Sequence, residues 1–209
     1  MRRVFGIAVL AGALSVAGPA LAQVGAGGGS YDDYTGGLQN RGTYDPRQHE
    51  VTVRNDPETF AEDLRHKGQC EKAVPILRTL ADGGGGYEIS QYNLGLCLLD
   101  LAAADPQHPA AERKEGADFI LEAANGGFGR AQAAAVGLYL DGTGVDADPV
   151  EAGKWALLYH ENGMRLSLGL PDIPKEVADR LNAALTGTKR SEARTRAGSW
   201  TPTTEASDH

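Results

Sequence analysis

The stretch "AANGGFGRAQAAAVGLYLDGTGVDADPVEAGKWALLYHENG", from Ala123 to Gly163, decides the fold that we expect for this chain. Apolar residues recur at helical spacing on both sides of a segment rich in glycine and aspartate, "DGTGVDAD" (Asp141–Asp148). Asp148 followed by Pro149 is typical of a helix start. The aspartate side chain accepts hydrogen bonds from the free N–H groups of the first turn, and proline has no backbone N–H that would need an acceptor. The stretch therefore predicts two short helices joined by a tight turn.

The turn also has the composition of an ion-binding or phosphate-binding loop. A calcium-binding EF-hand loop beginning at Asp141 would need acidic or amide side chains where Thr143 and Val145 stand. A phosphate-binding loop would need Gly-Lys-Ser/Thr before its helix, and the segment lacks it. We therefore interpret the segment as a joint, in which Gly142 ends one helix, Gly144 takes a positive φ and Val145 fills the gap between the helices.

A similar arrangement recurs earlier in the chain. When Gly84, Gly127 and Gly163 are aligned, a large residue stands eight positions before each glycine and a small residue stands eleven before it. These are Ile76, Phe119 and Trp155, and Ala73, Gly116 and Ala152, respectively. Large and small residues at fixed offsets are expected where helices pack closely, and helix pairs that repeat in this way indicate an α-solenoid. We also expect the three aligned glycines to end their helices with a left-handed backbone.

The first 22 residues have the composition of a secretory signal peptide, with two arginines before an apolar run and small residues at its end. We expect cleavage between Ala22 and Gln23 and a periplasmic or secreted product. The formal net charge of −8 argues against nucleic acid or an anionic lipid surface as a partner. No later apolar run is long enough for a membrane-spanning helix, so no integral membrane segment is expected after signal cleavage.

Composition also divides the remaining chain. Residues 23–55 are rich in glycine and polar residues and are predicted to form a disordered arm, and residues 201–209 are predicted to be a disordered tail. Residues 56–200 are rich in alanine and leucine and are predicted to be all-α. The expected architecture is a short α-solenoid of about three antiparallel helix pairs, followed by C-terminal helices.

The repeated residues resemble the Sel-one-like repeat (SLR), a relative of the tetratricopeptide repeat (TPR). Thirteen residues match its pattern in register: Ala123, Ala124, Gly127, Ala131, Gln132, Tyr139, Gly142, Gly144, Val145, Asp148, Ala152, Trp155 and Gly163. The preceding unit matches through "SQYNLG" (Ser90–Gly95), and "SEARTRAGSW" (Ser191–Trp200) resembles the helix that closes such arrays. The resemblance implies structural roles for Gly95, Ala124, Gly127, Tyr139, Gly142, Gly144, Asp148, Trp155 and Gly163, with Tyr139 and Trp155 in the core.

Two cysteines, Cys70 and Cys97, remain in a chain that we expect to be exported. An oxidising compartment favours a disulfide over two buried thiols. In antiparallel neighbouring helices, the two residues lie on adjacent elements and can meet. We therefore predict a Cα separation of about 4.4–6.8 Å.

The sequence lacks the common hydrolase, protease and metal-site motifs, so we expect neither an enzyme nor a cofactor or metal. The leading hypothesis is a non-catalytic adaptor that binds an envelope protein or peptide in a concave groove, as the resemblance implies. The candidate contacts are Gln91, Tyr92, Asn93 and Arg130.

Two alternatives stay open. One is a binding module for a cell-wall glycan or peptide, with weak hydrolytic activity as an option; exposed aromatic side chains beside a carboxylate pair would favour it. In the other, the glycine-rich arm, with Tyr31, Tyr34 and Tyr44 along it, is itself the recognition segment and the solenoid is its anchor.

Overall fold

The computed structural model describes residues 56–104 and 110–203, and within these ranges the chain is all-α. Nine helices are formed there, α1 (Pro57–His66), α2 (Cys70–Ala81), α3 (Glu88–Ala104), α4 (Ala110–Asn125), α5 (Gly129–Asp141), α6 (Pro149–His160), α7 (Gly163–Leu168), α8 (Lys175–Ala184) and α9 (Thr188–Gly198). The all-α prediction is confirmed. The predicted signal peptide, the glycine-rich arm and residues 204–209 lie outside the described residues.

Each of the first five helices packs against the next one in the chain, and α1 also contacts α3. After α6 the order changes, because α9 rather than α7 makes the larger contact with α6. Consecutive packing is what stacked helix pairs require, and it is compatible with the predicted solenoid. Across the described residues, no helix is both long enough and apolar enough to cross a membrane.

Two groups of buried apolar side chains form the core. One lies among α1, α2 and α3 and includes Leu77 and Leu94. The other extends from α3 to α9 around Trp155, whose side chain is 1% exposed, and Tyr139 packs against it while half-buried. Trp155 is therefore a core residue, as expected, and it lies on α6, the helix against which α9 packs.

The backbones of α3 and α4 nearly touch where they cross. A Cβ added at Gly95 would lie 2.5 Å from the carbonyl oxygen of Gly116, and a Cβ added at Gly116 would lie 2.9 Å from that of Gly95. Any side chain at either position would force the helices apart. The alignment predicted a small residue at position 116 where two helices pack closely, and Gly116 lies at such a contact.

The segment Asp141–Asp148 is a joint, as predicted. Gly142 ends α5 with a left-handed backbone, at φ 67° and ψ 35°. Gly144 also has a positive φ, 73°, and a Cβ at this position would lie 2.2 Å from the carbonyl oxygen of Arg113 in α4. Val145 packs partly buried against the larger core group. Glycine is needed at Gly144 for two independent reasons, the backbone angle and the lack of space.

Asp148 caps α6, which completes the joint. Its carboxylate accepts hydrogen bonds from the N–H groups of Val150 at 2.8 Å and Glu151 at 3.3 Å. Burial by itself raises the pKa of Asp148, but these bonds and the nearby Arg196 guanidinium outweigh it, so the pKa lies below its ordinary value. Arg196 also donates to Glu151 at 2.7 Å, which ties α9 to the start of α6.

One glycine prediction was wrong. Gly84 and Gly127 have positive φ values of 74° and 92°, as expected, but Gly163 is absent from the residues with positive φ and begins α7 instead. The side chain of Asn162 makes this start possible, because it accepts hydrogen bonds from the N–H groups of Met164 and Arg165. The chain leaves α6 at Glu161 with ordinary right-handed angles, φ −92° and ψ 1°, so no left-handed residue is required.

The predicted disulfide is confirmed. Cys70, the first residue of α2, and Cys97, within α3, are bonded with a Cα separation of 5.1 Å. Both residues are buried in the smaller core group. The bond therefore joins the second helix of one pair to the first helix of the next.

Gly144→Ala is expected to lower the free energy of unfolding by about 2–4 kcal/mol, through a clash with α4 and a strained φ. Gly163→Ala is the matched control, because its added Cβ would have no neighbour within 4 Å. We expect the control to change stability by less than about 0.5 kcal/mol. Urea unfolding followed by circular dichroism measures both, and equal losses in the two variants would contradict the role of Gly144 in the joint.

Replacing both cysteines, Cys70→Ala with Cys97→Ala, is expected to lower the free energy of unfolding by about 3.5 kcal/mol. The physical reason is the greater chain entropy of the unfolded state without a bond that spans 27 residues. Urea unfolding with and without dithiothreitol tests this, since reductant should destabilise the wild type and leave the variant unchanged. A wild type that is insensitive to complete reduction would refute the expectation.

Candidate functional site

An open cavity of about 340 Å³ lies where the start of α3 meets the last two turns of α4. Its volume is at the lower end of the range for ligand pockets, about 300–1,000 Å³. The described residues that line it are Gly85, Glu88, Gln91, Asp118, Leu121, Glu122, Asn125, Gly126 and Thr203. We call this the acidic cavity.

Helical spacing places the α4 side of the cavity on one face. Asp118, Leu121, Glu122 and Asn125 occupy positions i, i+3, i+4 and i+7, so their side chains lie on one face of the helix. The opposite wall comes close because Gly126 has no side chain, and a Cβ there would lie 2.6 Å from Cγ of Glu88. The two walls therefore bring carboxylates from different helices to the same opening.

Negative charge dominates this opening. Three carboxylates line it, Glu88, Asp118 and Glu122, and no lysine or arginine is among its described lining residues. Asp118 pairs with Lys114 at 2.6 Å, but both side chains are more than half exposed, and such pairs are weak in water. The described lining of the cavity is therefore acidic, and an acidic lining favours a cationic group.

Hydrogen bonds hold two of the carboxylates in place. Glu88 accepts from the N–H of Gly86 at 3.0 Å, and Glu122 accepts from the side-chain amide of Gln91 at 2.7 Å. The same amide of Gln91 also donates to the carbonyl of Gly84 at 3.4 Å. Fixed carboxylates bind a cation with a smaller loss of side-chain entropy.

Three of the four predicted partner contacts are buried in the structure, which the prediction did not anticipate. Gln91 and Asn93 are each 2% exposed and Tyr92 is 8% exposed, because α3 is covered by α1, α2 and α4. Gln91 does reach the acidic cavity, but it acts there by positioning Glu122. Tyr92 packs its ring edge-on against Phe128, with centroids 5.4 Å apart. Tyr92 and Asn93 therefore belong to the interior, whereas Gln91 is a buried lining residue of the acidic cavity.

Arg130, the fourth predicted contact, lies half-buried in the first turn of α5. Burial raises the pKa of Tyr92, and the charges of Arg65 and Arg130 act in the opposite direction. Arg130 is therefore close enough to α3 to influence Tyr92, and it is not among the residues of the acidic cavity.

The carboxylates of the cavity were missed from the sequence. Acidic residues on helices are usually solvated, and nothing local separates Asp118 and Glu122 from the others. The available signal was their four-residue spacing on one helix face. Which face borders a cavity depends on the crossing of α3 and α4, and that crossing is a tertiary property.

The lining chemistry restricts what the cavity can bind. Over the part of the chain that the structure describes, no group of three or more histidine, cysteine, aspartate or glutamate residues is arranged to hold a metal ion. The described lining also has no aromatic side chain on which a sugar ring would stack. A ligand with amino or guanidinium groups fits the carboxylates and amides best.

Comparison of the chain with protein-family models, curated proteins and solved structures gave no match. The likeness to Sel-one-like repeats therefore stays an expectation from the sequence, and the geometry of the site is the basis for a proposed function.

Gln91→Leu is expected to lower the free energy of unfolding by about 1–3 kcal/mol, because the carbonyl of Gly84 and the carboxylate of Glu122 lose their donor. Glu122→Gln is the matched control, since its amide oxygen accepts the same hydrogen bond, and we expect a change below about 0.5 kcal/mol. Thermal and urea unfolding measure both variants. Unchanged stability of Gln91→Leu would contradict the positioning role of Gln91.

Proposed function

We propose that this protein is a non-catalytic interaction adaptor, periplasmic or secreted, which binds a cationic segment of a partner protein in the acidic cavity. The observation that carries the proposal is the set of three carboxylates from two helices, around an opening with no lysine or arginine among its described lining residues. A positively charged group on the ligand is complementary to these carboxylates.

The size and exposure of the cavity favour a modest affinity. Its volume of about 340 Å³ accommodates a side chain or a short stretch of peptide. Asp118 and Glu122 are exposed, so their attraction for a cation is screened by water and salt. Binding that weakens with ionic strength is therefore part of the proposal.

The lining also favours binding over catalysis. It has no histidine or cysteine among the described residues, and its one hydroxyl, on Thr203, has no base beside it other than the carboxylates of the cavity. Hydrolysis of a peptide or glycan would need an activated nucleophile or an acid with a raised pKa.

A cell-wall peptide with a free amino group is the second candidate ligand, because the same carboxylates and amides would accept it. The described lining lacks the aromatic surface that would favour the glycan form of that alternative. The crosslinking experiment below distinguishes a cationic segment of a partner protein from a cell-wall peptide with a free amino group.

Binding of a fluorescently labelled trilysine peptide, measured by anisotropy at low salt and at about 0.15 M salt, tests the proposal. We expect saturable binding that weakens with salt, and none for a triglutamate peptide. Glu88→Gln combined with Glu122→Gln should weaken binding by about three- to tenfold, because two attractive charges are lost while both hydrogen bonds persist.

The control variant combines Glu161→Gln with Glu176→Gln, two exposed positions outside the cavity that remove the same net charge. We expect its affinity to equal that of the wild type. Equal losses in the two double variants would show non-specific attraction and would contradict a site in the cavity.

The native ligand can be identified with a photo-crosslinking residue in place of exposed Asp118, in cells that export the protein. A protein that is captured there, and lost when Glu88 and Glu122 are also neutralised, supports the adaptor. Capture of cell-wall peptide alone would contradict the adaptor and identify a cell-wall peptide as the ligand of the cavity.

A further inference from the structure

The chain after α9 returns across the molecule to the acidic cavity. We call residues 200–203 the C-terminal strap. At its start, the ring of Trp200 packs edge-on against buried Trp155, with centroids 6.2 Å apart and planes at 72°. At its end, the N–H of Thr203 donates to the carbonyl oxygen of Asn125 at 2.9 Å. The strap thus connects the C-terminal helices to the last residue of α4.

The end of the strap forms part of the cavity wall. Thr203 is one of the lining residues, beside Asn125 and Gly126. Pro202 lies close to Gly127, about 4.0 Å from the position that a Cβ would occupy there. The strap also satisfies a carbonyl at the end of α4, a group that has no partner within its own helix. The strap therefore forms the edge of the cavity beside Asn125 and Gly126.

The contacts that hold the strap are few. Residues 201–203 are exposed, and the described backbone hydrogen bonds include one from the strap to α4, that of Thr203. Trp200 is half-buried, and its ring N–H has no hydrogen-bond partner among the described residues, so the anchor is packing alone. Segments with so few contacts open at small cost in free energy, and a ligand that touches them shifts the equilibrium.

We propose that the C-terminal strap is a movable wall of the acidic cavity, and that docking of the strap and binding of a cationic ligand stabilise each other. This inference rests on the proposed function. A ligand in the cavity contacts Thr203 only when the strap is docked, so ligand binding favours the docked position of the strap. Because linkage is reciprocal, each event favours the other by the same factor.

Two shortened chains and one substitution test the inference, with trilysine as the probe. A chain that ends at Ser199 lacks the strap, and a chain that ends at Thr203 is the matched control that retains it. Trp200→Ala removes the anchor and keeps Thr203. We expect the chain ending at Ser199 and the Trp200→Ala variant to bind about three- to tenfold more weakly than wild type, and the control to bind equally.

Hydrogen exchange on the intact chain gives a second readout that does not depend on how the variants fold. Trilysine at saturation should slow exchange of the Thr203 amide, because the ligand holds it against Asn125. Circular dichroism of each variant confirms that the helices persist.

The outcomes separate the two proposals. Equal trilysine binding by all forms, with unchanged exchange at Thr203, overturns the strap inference and leaves the proposed function standing. Tighter binding by the chain ending at Ser199 also overturns it, because the strap would then be a competing lid. No binding by any form overturns both.

Discussion

The close approach of α3 and α4 at Gly95 and Gly116 is the constraint on which the rest of the structure depends. With a carbonyl oxygen 2.5 Å from the position of a missing Cβ, the two helices are separated by backbone alone. This distance fixes the relative positions of the two helices over the turn before Gly95 and the two turns after Gly116. Gln91 is thereby brought within hydrogen-bonding distance of Glu122, and the walls of the acidic cavity are defined.

Glycines also allow close contacts at two other places in the fold. Gly144 lies against the backbone of α4. Gly153 on α6 leaves room for Leu185 and Ala193, because a Cβ added at Gly153 would lie only 2.6 Å from the side chain of Leu185. Glycine at such positions sacrifices helix propensity, and the closer packing compensates through burial of the larger neighbours. Stability in this protein comes from where side chains are absent as much as from where they are large.

Local features of the fold could be predicted from the sequence, and non-local ones only in part. The left-handed turn at Gly142 and the cap at Asp148 depend on residues within one turn of each other, so the sequence pattern was sufficient. The disulfide was predictable because it needed only the antiparallel order of neighbouring helices. Gly163 was misjudged because the side chain of Asn162 reorganises the turn before it. The acidic cavity was missed because it depends on how two helices cross, and Gln91 was mistaken for a surface residue for the same reason.

The disulfide has a consequence for the mobility of the cavity. The covalent ring between Cys70 and Cys97 contains Gly85, Glu88 and Gln91, which form one wall, while the opposite wall belongs to α4 outside the ring. Fraying that begins at α1 meets a cross-link before it reaches the cavity. The oxidised chain therefore combines one wall inside the covalent ring with an edge at Thr203 that a single backbone hydrogen bond joins to α4, and the larger motions at the cavity are expected at that edge.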